Sequence, residues 1–175
     1  KVEQYKHMKN KIDEIVGRIN GKFGSVNWTP VLYQYKSLPF NSLAAQYIAS
    51  DIALVTPLRD GMNLVAKEYI AARADKTGIL ILSEMAGASM ELGEAIIINP
   101  NNAEEVSDAL IEALDMPQED QIRRNLVMQK RLEHYDVIHW VDDFVHGLLS
   151  IKKEQKKFNT KMIDPDMKNH LVTDF

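Results

Sequence analysis

The sequence predicts a doubly wound α/β fold, in which a parallel sheet is covered by helices on both faces. Three short runs support this prediction, namely Asp51–Val55, Gly78–Ser83 and Ala95–Asn99. Each run is apolar almost throughout rather than alternating, as expected of strands buried on both faces, and helical segments separate the runs. Because parallel strands end at one edge of their sheet, we expect ligand-binding groups in the turns that follow them.

The N-terminal segment is predicted to contain a helix, a strand and a second helix. Gly21 is expected to end the first helix in a left-handed cap, Pro30–Tyr35 reads as a strand, and Asn41 or Ser42 can cap the next helix. The first helix is amphipathic, with apolar side chains at three- and four-residue spacing. These are Val2, Tyr5, Met8, Ile12, Ile15, Val16 and Ile19.

Helical patterns also dominate the second part of the chain. Met62–Ala74 has helix-forming composition, Ala103–Leu114 follows a possible capping box, and a further helix runs from Met116 to about residue 132. The box consists of Asn102 and Glu105. The last predicted helix has an apolar stripe formed by Val137, Trp140, Val141, Phe144, Val145, Leu148 and Leu149. We therefore expect a domain over residues 1–150 and a polar linker or tail over 151–175.

The composition limits the classes of function. The 175 residues are 45% apolar and carry a net charge of −4, so the chain can bury one core but offers no overall basic field for nucleic acid. Without cysteine there is no disulfide framework or thiolate metal site, and a reducing, cytoplasmic location is expected. No apolar run approaches the length of a membrane span. The chain begins at Lys1 within a helical pattern, so we expect it to be a piece of a longer protein.

The turn after the first predicted parallel strand is the main candidate site. It offers the Asp60 carboxylate, the unhindered backbone of Gly61, the N–H groups of Leu64 and Val65, and the Glu68 carboxylate. The first N–H groups of a helix lack intrahelical partners and lie at the positive end of the dipole, so they suit a phosphate. An acidic residue one turn further along suits ribose hydroxyls. The groups together suit a sugar nucleotide.

A plainer interpretation stays open for these residues. Asp60 or Asn63 can be an ordinary helix cap, and Glu68 can be a solvated helix residue. A second candidate, Ser83–Glu91, follows the next strand and is rich in small residues that permit close backbone approach. Its alternative is a tight turn with no ligand.

Two further groups resemble metal sites, and we discount both. His139, Asp143 and His146 recur on one helix, but they flank an apolar stripe and form no HExxH motif. Asp164 and Asp166 form a DxD triplet within a polar tail rather than at a strand end. No metal or other cofactor is expected.

The run Leu54–Glu68 closely resembles the signature of the trehalose-phosphate synthases, retaining glycosyltransferases of the two-domain GT-B type. Similar segments flank it in the same order, at Ile19–Gly24, Trp28–Pro30, Leu82–Ala88 and Ile98–Pro100. The similarity extends over about residues 1–150. It implies a Rossmann-like fold, the C-terminal, donor-binding half of a GT-B enzyme, incomplete at its N-terminus. The implied reaction moves glucose from UDP-glucose to glucose 6-phosphate and forms trehalose 6-phosphate with retention.

The resemblance also implies a role for each site residue. Asp60 and the backbone of Gly61, Met62 and Asn63 would hold the glucose of the donor. The amides of Leu64 and Val65 would hold the diphosphate, and Glu68 would hold the ribose. Leu38, in the turn after Tyr35, would contact the uracil. The cationic diphosphate ligands and the glucose 6-phosphate pocket would lie in a missing N-terminal acceptor domain. No metal is needed, because cationic side chains and the helix end would neutralise the diphosphate.

Alternatives remain at this point. Another retaining GT-B transferase would share the role of Glu68 but not the run Arg59–Asn63, and a noncatalytic regulatory homologue would keep the sheet without turnover. The segment from Ile151, with Met162 and the three residues after it, resembles a connector to a downstream trehalose-phosphatase domain.

Overall fold

A computed structural model describes residues 2–134 and 137–162. The chain falls into two compact units, one ending at Phe40 and the other beginning at Asn41. In the described part of the chain, no helix is both long enough and apolar enough to cross a membrane.

The first unit contains helix α1, Val2–Phe23. The predicted cap at Gly21 is wrong, because α1 continues past it and Gly21 has no positive φ. The Gly24 N–H instead donates to the Asn20 carbonyl at 2.8 Å, and a Cβ on Gly24 would lie 2.4 Å from that oxygen. Helix α1 therefore ends with Gly24 in close contact with the Asn20 carbonyl, and not with a left-handed glycine at residue 21.

The predicted strand at Pro30–Tyr35 is also wrong, because this segment is irregular. A strand needs a hydrogen-bonded neighbour, and none of the described residues pairs with the segment as a strand. At one residue of the segment, Val31, the Asn20 side chain provides the hydrogen-bond partners. Its Nδ2 donates to the Val31 carbonyl and its Oδ1 accepts from the Val31 N–H, both at 2.9 Å.

The second unit is built on a three-stranded parallel sheet in the order β1-β2-β3. The strands are β1 (Ile52–Val55), β2 (Ile79–Ser83) and β3 (Ile96–Ile98). The predicted parallel α/β class is confirmed, and all three apolar runs form strands.

The central strand β2 is buried on both faces, as its continuous apolar run predicts. Leu80 and Leu82 pack with residues of α3 (Leu64–Ala72) and α5 (Gln118–His134). The alternate residues, Ile79 and Ile81, pack with β3 and with α4 (Ala103–Asp115). Since successive side chains of a strand point to opposite faces, two apolar clusters cover the sheet.

Side-chain caps begin two of these helices. Asn63 caps α3, and Asn102 caps α4 by accepting from the Glu105 N–H at 3.3 Å. The predicted capping box is only half formed, because the Glu105 carboxylate accepts from the Asn99 N–H instead of returning to Asn102. Helix α2, Phe40–Ala49, starts before Asn41 and Ser42, so the predicted cap at those residues is wrong.

The last helix, α6, spans Val137–Met162. Six residues of its predicted apolar stripe are exposed, namely Trp140, Val141, Phe144, Val145, Leu148 and Leu149. The Trp140 ring stacks on that of Phe144 at 5.4 Å between ring centroids. Residues 151–162 are helical rather than aperiodic as expected, and their role as part of a linker or tail stays a prediction. Residues 163–175, with the rest of the predicted tail, lie outside the described residues, and the domain boundary at 150 stays a prediction.

Candidate functional site

The turn after β1, residues 56–63, is closed by the Asp60 carboxylate; we call it the β1 turn. Oδ1 accepts from the Met62 N–H at 3.1 Å and Oδ2 from Asn63 Nδ2 at 3.0 Å. The carboxylate is half-buried. Each carboxylate oxygen has a second lone pair, so Asp60 can shape the turn and still accept a hydrogen bond from a ligand.

Asn63 connects the β1 turn to helix α3. Its Oδ1 accepts from the Ala66 N–H at 3.0 Å, and its φ of 83° lies in a region that side chains rarely adopt. The plain interpretation of Asn63 as a helix cap is therefore confirmed. In the described chain, the next two N–H groups, those of Leu64 and Val65, donate to no protein acceptor. They stand at the positive end of α3, where an anion is favoured.

The turn after β2, residues 84–91, supports the β1 turn through backbone hydrogen bonds; we call it the β2 turn. The Asp60 N–H donates to the Met85 carbonyl at 3.2 Å, and the Gly87 N–H donates back to the Asp60 carbonyl at 2.9 Å. The Ala88 N–H donates to the Met62 carbonyl at 2.6 Å. The two turns are thus joined in the same way as neighbouring strands.

Close packing explains the small residues of the β2 turn. A Cβ on Gly87 would lie 2.1 Å from the Gly61 carbonyl oxygen. The buried Ser83 hydroxyl donates to the Pro57 carbonyl at 2.8 Å and accepts from the Met85 N–H at 3.1 Å. The second predicted candidate therefore lies beside the first at the same sheet edge, where it braces the β1 turn.

Glu68 lies one helical turn after the free amides, and its carboxylate is held by a residue that sequence reasoning missed. The Tyr47 hydroxyl donates to Glu68 Oε2 at 2.9 Å. Burial raises the pKa of Tyr47 to about 12, and the Glu68 carboxylate adds to the effect. Tyr47 therefore stays protonated and remains a donor across the physiological pH range. No sequence signal pairs these residues, since they are 21 residues apart in the chain.

Arg73 is the second residue that sequence reasoning missed. It is 3% exposed, and its guanidinium donates to the carbonyls of Tyr47, Ile48 and Ser50 at the C-terminal end of α2. It also donates to the Thr77 carbonyl at 2.7 Å. Arginine is rarely buried unless it is paired, so the apolar pattern around Arg73 did not predict that its side chain is buried against α2.

The remaining predicted residues lie in the first unit, on α6 or outside the described chain. Leu38 is half-buried in the irregular end of the first unit, and its role stays a prediction. His139, Asp143 and His146 lie exposed on α6. Within the described ranges, no group of three or more acidic, histidine or cysteine residues is arranged to hold a metal ion. Asp164 and Asp166 lie outside those ranges.

The parallel sheet, the capped α3 terminus and the flanking carboxylates define a Rossmann-like domain of the GT-B glycosyltransferase class. Residues 1–150 match the sequence profile of glycosyltransferase family 20, and the chain belongs to this family. The resemblance carried by Leu54–Glu68 is thereby confirmed.

Relatives with known names or structures support the same assignment. The chain is 50% identical to a bifunctional trehalose-6-phosphate synthase/phosphatase of Thermoproteus tenax, over 89% of this chain and 21% of the relative. It is 46% identical to a glucosylglycerol-phosphate synthase of Picosynechococcus, over 79% of this chain and 28% of the relative. A structure of the E. coli trehalose-6-phosphate enzyme bound with UDP-2-fluoro glucose superposes with a TM-score of 0.77 at 42% identity, covering 83% and 32%. The chain therefore spans a third or less of each of these relatives.

Proposed function

We propose that this chain supplies the nucleotide-sugar donor site of a retaining glycosyltransferase. The reaction is transfer of glucose from UDP-glucose to glucose 6-phosphate, which gives trehalose 6-phosphate. One observation carries the proposal: residues 60–68 present a carboxylate, two unpartnered helix-terminal amides and a second carboxylate in succession. The similar E. coli protein, whose structure is bound with UDP-2-fluoro glucose, supports this choice of donor.

Each group of the β1 turn and of α3 has one task along the donor in this proposal. Asp60 and the backbone of residues 61–63 bind the glucose hydroxyls. The amides of Leu64 and Val65 bind the diphosphate, because the end of a helix favours an anion. Glu68 accepts from the ribose hydroxyls, and Leu38 contacts the uracil.

The proposed mechanism is front-face substitution. The bond between the anomeric carbon of glucose and the diphosphate oxygen breaks, and the new glycosidic bond forms on the same face. The leaving diphosphate takes the proton of the acceptor hydroxyl, and the protein contributes positioning and electrostatic stabilisation. The α3 terminus supplies part of the stabilisation. Cationic side chains and the glucose 6-phosphate pocket would come from an N-terminal acceptor domain. A noncatalytic homologue is the alternative, and it would lack those cationic side chains.

The acceptor is the least constrained part of the proposal. The similarity to a glucosylglycerol-phosphate synthase shows that chains like this one occur in enzymes whose names give another product. Trehalose 6-phosphate is favoured by the 50% identity to the Thermoproteus enzyme. That bifunctional relative also supports a downstream phosphatase domain as a proposed partner. A cytoplasmic location remains a prediction.

The direct test is UDP binding by the 175-residue chain and its Glu68→Ala variant, measured by isothermal titration. Hydrogen bonds to a charged group contribute about 1.5–3 kcal/mol, so we expect the variant to bind about 10- to 100-fold more weakly. Glu104→Ala, which removes an exposed carboxylate on α4, is the matched control and should bind normally. Equal affinities for wild type and Glu68→Ala would remove Glu68 from the ribose role. We also expect no glucose transfer by this chain alone, and appreciable transfer would contradict the division of the site between two domains.

A further inference from the structure

Within the second unit, the C-terminal end of helix α2 is held by polar contacts. None of its residues is fully buried. The Arg73 guanidinium donates to the carbonyls of Tyr47, Ile48 and Ser50. These carbonyls lie at the C-terminal end of α2, where a helix leaves its last carbonyls without intrahelical partners. Arg73 also donates to Thr77, so the same side chain ties α2 to the loop that precedes β2. A buried arginine thus fixes the backbone that carries Tyr47.

The Tyr47 ring is fixed as well. It meets the Tyr69 ring edge-on, at 6.4 Å between centroids and 86° between planes. Tyr69 is fully buried, and its hydroxyl donates to the Ser50 carbonyl at 3.2 Å. With its backbone and ring both held, the Tyr47 hydroxyl reaches Glu68 Oε2 from a defined direction.

Glu68 itself is exposed on α3, and a free glutamate has several accessible rotamers. The Tyr47 hydroxyl restricts that freedom, because a carboxylate hydrogen-bonded at one oxygen keeps its second oxygen in a defined place. Oε1 has no protein donor among the described residues, so it is available to a ligand. Ordering a side chain before binding removes an entropic cost from the binding step.

We propose that Tyr47 is a positioning residue that orients the Glu68 carboxylate to accept the ribose hydroxyls of a nucleoside diphosphate. The inference rests on the ribose role of Glu68 in the proposed function. Tyr47 acts through Glu68 and touches no ligand. Arg73 and Tyr69 act one step further back, by holding Tyr47.

The test compares UDP with 2′,3′-dideoxy-UDP, which has no ribose hydroxyl for Glu68, on the 175-residue chain and its Tyr47→Phe variant. Phenylalanine keeps the ring that packs on Tyr69 and removes only the hydroxyl. We expect Tyr47→Phe to weaken UDP binding about three- to tenfold and to leave dideoxy-UDP binding unchanged. In the Glu68→Ala background, Tyr47→Phe should have no further effect, because the two residues act as one unit.

Tyr5→Phe, which removes an exposed hydroxyl on α1, is the matched control and should leave the binding of both ligands unchanged. Tyr69→Phe removes a hydroxyl one step further back in the network, so any loss that it causes should be smaller than that of Tyr47→Phe and confined to UDP. Melting temperatures establish that each variant is folded, and Tyr47→Met provides a second variant without the hydroxyl.

The outcomes separate the two proposals. Equal loss of both ligands in Tyr47→Phe, or no loss at all, overturns the positioning role but leaves the proposed function intact if wild type prefers UDP. An additive effect in the Glu68→Ala background also overturns it. If wild type binds UDP and dideoxy-UDP equally, the ribose role of Glu68 fails and the positioning role fails with it.

Discussion

The β1 turn and the β2 turn leave neighbouring parallel strands at the same edge of the sheet, yet they use their polar groups differently. The β2 turn directs the N–H groups of Gly87 and Ala88 into the β1 turn, where they bond protein carbonyls. The first amides of α3, which follow the β1 turn, have no protein acceptor in the described chain. One turn therefore presents groups to a ligand, and the other holds that presentation in place.

The two turns therefore differ in role although their sequences are similar in composition. Both turns combine small residues with polar ones, and both were candidates for a ligand site. Only the three-dimensional pairing of Asp60 with Ala86 shows which turn supports the other. A site that binds by backbone amides needs such support, because a displaced peptide loses its hydrogen-bond geometry.

The largest effect is expected from Gly87→Ala, which forces the two turns apart. Its Cβ would lie 2.1 Å from the Gly61 carbonyl oxygen, and a backbone atom yields less easily than a side chain. We expect a loss of about 3 kcal/mol in the free energy of unfolding, measured by urea denaturation, because overpacking of this kind costs about 1–3 kcal/mol or more. UDP affinity should fall with it, since the β1 turn must move.

Gly93→Ala is the control for that substitution. A Cβ at Gly93 would meet nothing within 4 Å, and its φ is not positive. We expect its effect on unfolding to stay within about 0.5 kcal/mol. If both variants were equally stable, the close contact between the turns would be of no energetic importance, and the supporting role of the β2 turn would be wrong.

The sequence predicted the sheet well because burial on both faces leaves a direct mark. The continuous apolar run of β2 is typical of a strand buried on both faces, and its residues indeed divide between two clusters. The candidate residues from Asp60 to Glu68 were found for a similar local reason, since strand, turn and helix start are contiguous in the chain. The predicted strand at Pro30–Tyr35 failed because a strand also needs a neighbour, and composition alone does not supply one.

The supporting residues were out of reach of sequence reasoning. Tyr47 and Glu68 are 21 residues apart, and Arg73 is 26 residues from Tyr47. Local periodicity carries no information about which side chains meet over such separations. Arg73 is also a charged residue at a buried position, which a pattern of apolar and polar residues assigns to the surface.

A smaller effect is expected from Asn63→Ala, which tests the junction between the β1 turn and α3. Removal of a helix cap costs about 1 kcal/mol, and a backbone held at φ 83° adds about another 1 kcal/mol for alanine. We therefore expect a loss of about 2 kcal/mol in urea denaturation.

Asn102→Ala is the matched comparison, because Asn102 caps α4 from an ordinary extended conformation with φ −101°. It should cost only about 1 kcal/mol. Asn63→Gly should recover the conformational part of the loss, since glycine adopts positive φ freely. If Asn63→Ala and Asn102→Ala cost the same, the unusual backbone of Asn63 carries no strain.

The smallest effect is expected at Glu94, just after the β2 turn. Glu94 is held by an ion pair, whereas the two turns are joined by backbone hydrogen bonds. Arg131 of α5 donates to both oxygens of Glu94, at 2.6 and 2.9 Å, and this holds the pKa of Glu94 below its ordinary value of 4.5. A carboxylate with a lowered pKa in the folded state stabilises the protein above its unfolded-state pKa, and that contribution is lost as pH falls through the folded-state pKa.

Glu94→Gln and Arg131→Gln should therefore be less stable than wild type at neutral pH, and both differences should shrink below about pH 4.5. Urea denaturation between pH 3 and 7 measures the change, and a difference that stays constant down to pH 3 would show that this ion pair does not contribute to the acid sensitivity of the folded state. The hydrogen bonds between the two turns involve no titratable side chain, so the same acidification should leave the contribution of Gly87 to stability unchanged.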